Sequence, residues 1–206
     1  MGDVYRAFST PLYRRKNQLN KAELNPALGS LDMYRLKTND GYTTKSPWVL
    51  ENELKFLKPL VQDCLDDMIY NDWKFKKDLY KIEIQNSWVM KHTKGDQSGM
   101  HWHSNSLFSG ILYLQCDEKS GTLMFVNQDN WCGNVLDFEF EEDNALNQDT
   151  VGLVPGEGEI LIFPSRTPHM VSPSMSEHSR YCLAFNTWIR GPVGKGHENN
   201  NSQLDL

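Results

Sequence analysis

Two histidines stand one residue apart in SGMHWHSNSLFSGILYLQ, residues 98–115. In an extended chain, residues i and i+2 point to the same face. His101 and His103 are therefore placed to aim two imidazoles at one point, as two ligands of a metal ion would. With six histidines in 206 residues, such a pair is a weak signal by itself. A third histidine strengthens it. In GEGEILIFPSRTPHMVSP a glycine-rich turn leads into a strand-like run ending at Pro164, and His169 follows in a short loop. Arg180 then opens the last strong strand-like run, SRYCLAFNTWIR. Three imidazoles meeting at the mouth of a small β barrel make a facial metal site with coordination positions left open. An arginine entering the same barrel is a permanently charged fork suited to a carboxylate.

The elements that must position these residues are mostly short strands. DLYKIEIQNSWVMKH alternates, with Leu79, Lys81 and Glu83 on one face and Tyr80, Ile82 and Ile84 on the other. LFSGILYLQC, GTLMFVN, VLDFEF, GEILIFP and SRYCLAFNTWIR follow, separated by turn-rich DEKSG, VPGEG and PSMSEHS. Strands of this length and spacing predict a mainly β fold, a sandwich or barrel-like jelly roll. Ahead of them, YRAFSTPLYRRKN reads as an opening strand interrupted at Pro11, and LNKAELNPALGSL as a short helix stopped near Gly29. NDGYTTKSP reads as a loop. From Glu51 to Tyr70, Leu54, Leu57, Val61, Leu65, Met68 and Ile69 recur at three- and four-residue steps. That is an amphipathic helix whose start Pro59 shifts or kinks, and it should pack on one outer face of the barrel. Residues 1–190 are expected to form a single domain with a helical N-terminal part, and 191–206 a flexible tail.

Composition narrows the function class. The formal net charge of −6 argues against a nucleic-acid backbone as the main partner. No apolar run approaches the roughly 18 residues of a membrane span. The opening MGDVYRAFST lacks the apolar stretch of a secretory signal. The four cysteines, Cys64, Cys116, Cys132 and Cys182, form no Cys-x-x-Cys, so reduced thiols in a cytoplasm are expected.

The ordered set KGDQSGMHWHSNSLFSGILYLQ, GTLMFVN, GEILIFPSRTPHMVSP and RYCLAFNTW resembles the 2-oxoglutarate- and iron(II)-dependent oxygenases. The nearest likeness is to a small bacterial and phage branch with prolyl-hydroxylase relatives. The resemblance is strongest from Lys81 to Arg190, and FSTPLY and LNPAL are looser echoes. It implies a double-stranded β-helix (the cupin-like jelly roll) and Fe(II), 2-oxoglutarate and O2 as the working set. The activity implied is a dioxygenase, most simply a hydroxylase of a small-molecule or peptide substrate.

By the same resemblance, His101 corresponds to the first metal ligand and His169 to the last. Arg180 corresponds to the basic residue that binds the distal carboxylate of 2-oxoglutarate, and Tyr113 to a strand tyrosine on that carboxylate. His103 departs from the pattern, which has aspartate or glutamate there. Three arrangements stay open: all three histidines as ligands, His101 and His169 alone, or His103 with Asn105 in the HSN stretch. A neutral third ligand leaves the ferrous site one unit more positive, and its presence argues against halogenation, which needs that position empty for chloride. The rival reading is a cupin-like three-histidine dioxygenase or metal binder without 2-oxoglutarate, which would have no use for Arg180.

The remaining candidates are less pointed. His92 and His178 read as solvent-facing, and His197 lies in the tail. Trp88 and Trp102 flank the site as walls or core. The acidic, asparagine-rich stretch from Asn127 to Thr150 reads as a solvated insertion or as a lid presenting Trp131.

Overall fold

The computed structural model describes residues 9–37, 40–127, 138–194 and 204–205. Its organising feature is a pair of antiparallel sheets. The larger has seven strands. In chain order they are β1 (Tyr13–Lys16), β2 (Met33–Arg35), β3 (Tyr42–Thr44), β4 (Lys81–His92), β6 (Phe108–Gln115), β9 (Glu159–Pro164) and β11 (Arg180–Arg190). They are arranged in space as β1-β9-β6-β11-β4-β3-β2. The smaller sheet is built from β5 (Ser98–His101), β7 (Leu123–Val126), β8 (Thr150–Leu153) and β10 (His169–Val171), in the order β5-β10-β7-β8. This is the jelly roll expected from the strand spacing, in the double-stranded β-helix form that the resemblance implies. A two-residue pair, β12 (Pro192–Val193) with β13 (Leu204–Asp205), joins residues near the C-terminus.

The central strands of the large sheet are buried on both faces, and period-two alternation assigns each of their residues to one of them. Leu112, Leu114, Ile160, Ile162, Leu183 and Phe185 face the helices. Tyr113, Leu161, Phe163 and Cys182 face the barrel interior, against Leu123, Phe125 and Val171 of the small sheet. The helical layer consists of α1 (Lys21–Gly29) and α2 (Lys58–Asp66). Asn20 caps α1 through the Ala22 amide, and Glu23 reaches back to the Asn20 side chain. In α2 the periodic residues Val61, Cys64 and Leu65 are buried, and Met68 and Ile69 continue the stripe into a π-helical turn over Asp67–Asp72. Pro59 sits in the first turn of α2, where its missing N–H costs no helical hydrogen bond. It sets the start of the helix rather than kinking it.

Three local expectations are corrected. Tyr42–Thr44, read as loop, is strand β3, paired with both β2 and β4. Three-residue strands at a sheet margin are too short to show a period, so both β2 and β3 escape pattern reading. His169, placed in a loop by its sequence, is the first residue of β10. In VLDFEF, Val135–Asp137 lie outside the described residues and Phe138–Phe140 form no strand; the next strand is β8, beginning at Thr150. Cys64, Cys116 and Cys182 are unpaired thiols, whereas Cys132, Trp131 and His197 fall outside the described residues. Among the described residues no helix is long and apolar enough to cross a membrane.

The tightest approach in the sheet is at Gly110, where a Cβ would lie 2.2 Å from Cζ of Phe185. Gly110→Ala is expected to destabilise the protein by about 1–3 kcal/mol through overpacking. Gly29→Ala, with nothing within 4 Å of the added carbon, should change stability by only a few tenths of a kcal/mol. Urea unfolding of the two variants checks the contrast.

Candidate metal and carboxylate site

The two strands that carry His101 and His169 pair antiparallel, with these two residues directly opposite one another. Their rings are 4.3 Å apart between centroids. His103 follows two residues after β5, where its backbone N–H donates to the Ser165 carbonyl at 3.0 Å. Its ring centroid is then 5.3 Å from that of His101 and 5.2 Å from that of His169. One donor nitrogen from each of the three lies within 4.8 Å of the others, a spacing one ion is able to collect.

Two of the imidazoles are oriented by a backbone carbonyl. His169 Nδ1 lies 2.9 Å from the Thr167 carbonyl and His101 Nδ1 2.8 Å from the Gly99 carbonyl. A carbonyl only accepts, so Nδ1 carries the proton and Nε2 keeps its lone pair. The Asn186 side chain lies beside His103 and partly offsets the effect of burial on its pKa. Asn186 Oδ1 in turn accepts from Ser109 Oγ at 2.7 Å, and Ser109 shares a 2.8 Å hydrogen bond with Ser165. Trp88 stacks on His103 with the planes inclined at 27°. Burial pushes the pKa of His103 and of His169 down to about 4, and neighbouring imidazoles add to the effect. Both are neutral at pH 7, the state a ligand needs.

The three histidines line a cavity of about 380 Å³ together with Tyr113 and Arg180. Tyr113 projects from β6 and Arg180 from the start of β11, both on the interior face. Arg180 is only 2 % exposed, yet among the described residues no carboxylate lies within ion-pair reach of it. Its Nη1 donates to the Ser120 carbonyl at 3.2 Å, its Nη2 to Nδ1 of His92 at 3.0 Å, and it lies 5.9 Å from the Tyr113 ring centroid. Nε is buried without a hydrogen-bond partner. A buried cation is costly unless a counter-charge completes it.

All five residues singled out from the sequence therefore share one cavity wall. Asn105 does not line it and is exposed, in a left-handed turn with φ 55°. Trp102 is 58 % exposed at the rim, while Trp88 is half-buried in the wall. His178 is exposed as expected, but His92 is not: it is fully buried behind Arg180. The misreading of His92 has a local cause. In β4 the run Ser87 to His92 alternates with Trp88 and Met90 on the cavity side, in phase with His92. An irregularity opposite Asn186/Thr187 shifts that phase relative to Tyr80–Ile84. Asn186 and Ser109 were also missed, although a polar residue inside the apolar runs LAFNTW and LFSGIL signals a buried hydrogen bond.

Residues 86–186 match the sequence model of a family described as "Putative 2OG-Fe(II) oxygenase". No curated protein matches the chain in sequence. Among solved structures, HygX from Streptomyces hygroscopicus with nickel, 2-oxoglutarate and hygromycin B bound aligns at 13 % identity and TM-score 0.60. That alignment covers 90 % of this chain and 84 % of HygX. The α-ketoglutarate-dependent epimerase SnoN of nogalamycin biosynthesis aligns at 10 % identity and TM-score 0.60, covering 88 % and 81 %. A prolyl-4-hydroxylase from Pseudomonas putida aligns at 13 % and TM-score 0.53, covering 86 % and 93 %. At these identities the likeness is one of fold.

A pH dependence follows from the buried imidazoles. His92, His103 and His169 have folded pKa values near 4, below their ordinary 6.5. Their contribution is complete above pH 6.5 and is lost as pH falls from there toward 4, where the unfolded chain takes up protons the folded chain refuses. Thermal unfolding of the metal-free protein should show a flat midpoint above pH 7 and a steep fall between pH 6.5 and 4. A midpoint constant across that window would contradict burial of the neutral rings.

Proposed function

Since the chain belongs to the 2-oxoglutarate/Fe(II) oxygenase superfamily, we propose that it is a hydroxylase of a small-molecule or peptide substrate. His101, His103 and His169 hold Fe(II), and Arg180, helped by Tyr113, holds the distal carboxylate of 2-oxoglutarate. The observation that carries this reading is the fully buried Arg180, lacking an acidic partner among the described residues, in the same cavity wall as the three histidines. The donor set fits a borderline divalent ion, and the Arg180 guanidinium, part of the cavity lining, fits an incoming carboxylate.

Bound iron, 2-oxoglutarate and dioxygen supply the oxidising chemistry. The protein's residues supply position and environment. The Gly99 and Thr167 carbonyls hold His101 and His169 in the tautomer that presents a lone pair, and the Asn186 side chain lies beside His103. Three neutral ligands leave the ion's charge undiminished, so together with Arg180 they draw a dianionic cosubstrate. Phe163, Ile111 and Ala184 line the cavity with apolar surface and keep it dry around the charged ends. His101, exposed at the rim beside Met100 and Trp102, marks the side from which substrate approaches. The acidic net charge and the apolar rim favour a peptide or small molecule over a nucleic acid, and the unpaired thiols fit a cytoplasmic setting.

The rival reading, a three-histidine dioxygenase that uses no 2-oxoglutarate, leaves Arg180 buried without a purpose. Anaerobic addition of 2-oxoglutarate to the Fe(II) protein separates the two. A weak visible absorption band should appear, vanish in His169→Ala, and require about two orders of magnitude more 2-oxoglutarate in Arg180→Met. No band in the wild-type protein, and no thermal protection by 2-oxoglutarate, would overturn the proposal. Asn186→Leu is expected to weaken Co(II) binding, followed by the ion's visible spectrum, by about 10–100-fold.

A further inference from the structure

Arg180 is held from behind by a residue with no part in the site as described so far. His92, the last residue of β4, lies directly across the strand pair from Arg180 and is 0 % exposed. A guanidinium has no acceptor, so the 3.0 Å contact between Nη2 and His92 Nδ1 requires a lone pair on Nδ1. The ring proton then sits on Nε2, which faces Ser98 Oγ at 3.3 Å. The imidazole has no room to swing away. Gly41, in the left-handed region with φ +79°, packs so closely over it that a Cβ there would lie 2.6 Å from His92 Cδ2. Burial and the adjacent Arg180 charge hold the ring neutral, pushing its pKa down to about 4.

These contacts account for two of the three guanidinium nitrogens. Nη1 donates to the Ser120 carbonyl and Nη2 to His92, so two of the five guanidinium N–H groups are engaged and three remain. Both acceptors are neutral, and therefore fix the fork without cancelling its charge. A carboxylate on the guanidinium in place of His92 would have done the opposite, neutralising the cation and competing with the ligand.

We propose that His92 is a positioning residue for the cosubstrate: its neutral imidazole locks the Arg180 guanidinium in the orientation that receives the distal carboxylate. The inference rests on the carboxylate-binding role of Arg180 proposed above. It concerns affinity for 2-oxoglutarate and leaves the metal ligands untouched.

The test is the anaerobic 2-oxoglutarate titration of the Fe(II) protein, run beside a Co(II) titration of the three histidines. His92→Leu should weaken 2-oxoglutarate binding by about tenfold and leave Co(II) affinity unchanged. His92→Asn, whose Oδ1 takes the place of Nδ1, should restore most of the loss. His92→Gln, whose amide reaches to the position of Nε2, should not. Wild-type affinity in His92→Leu overturns the inference, as does a parallel loss of 2-oxoglutarate and Co(II) binding across all three variants. Should His92→Leu fail to fold, the contrast of Asn with Gln decides, and equal affinities overturn it. If the wild-type protein binds Co(II) but gives no 2-oxoglutarate band, the cosubstrate reading itself falls, and this inference with it.

Discussion

Strands β6, β9 and β11 are covered on both faces, by helices on one side and by the small sheet on the other. Alternation along a strand then divides each sequence into two functional sets. Leu112, Leu114, Leu183 and Phe185 secure the sheet to α2 and its extension, while Tyr113, Cys182, Ala184 and Arg180 face the cavity. A one-residue slip in β11 would send Arg180 toward the helices and Leu183 into the site. The apolar side of the sheet therefore fixes the register of the side that carries chemistry. The ladder of β11 against β4, running from Arg180↔His92 to Arg190↔Lys81, holds this register across the sheet.

The interior gathers groups that are expensive to bury. His92, His103 and His169, a guanidinium and the Asn186–Ser109–Ser165 chain all sit where water is scarce. The histidines meet this by staying neutral. Arg180 has no such escape, because guanidinium does not lose its proton at any ordinary pH. Among the described residues it is met by a carbonyl, an imidazole, an aromatic face and the Cys182 thiol, none of which carries a negative charge at neutral pH. A fold selected for stability alone would place an acid beside it or a leucine in its stead. On the proposed reading, ligand binding supplies the missing negative charge.

Much of the architecture was legible from sequence. The alternating run DLYKIEIQNSWVMKH predicted β4, the strand-like runs between turn-rich pieces predicted β6, β9 and β11, and the three- and four-residue spacing predicted α2 with a start shifted or kinked by Pro59. These elements are long, and their burial is regular. The short strands β2 and β3 were not legible, since three residues carry no period and Gly41 imitates an ordinary loop glycine. Its true constraint, closeness to the His92 ring, is a tertiary contact. His92 itself was misjudged for a related reason. A lone histidine at a strand end says nothing about which face it takes once an irregularity upstream has shifted the phase.

Residue chemistry and spacing along the chain thus determined the candidates: two imidazoles of like orientation, a third after a glycine-turn strand, and an arginine opening a buried strand. The tertiary structure alone decided that they meet. His169 lies opposite His101 because β10 inserts between β5 and β7, and Arg180 reaches His92 across 88 residues of chain. Local periodicity reports which face of an element is apolar. It holds no information about which distant element will lie against that face, because strand pairing is settled by the collective burial of both sheets.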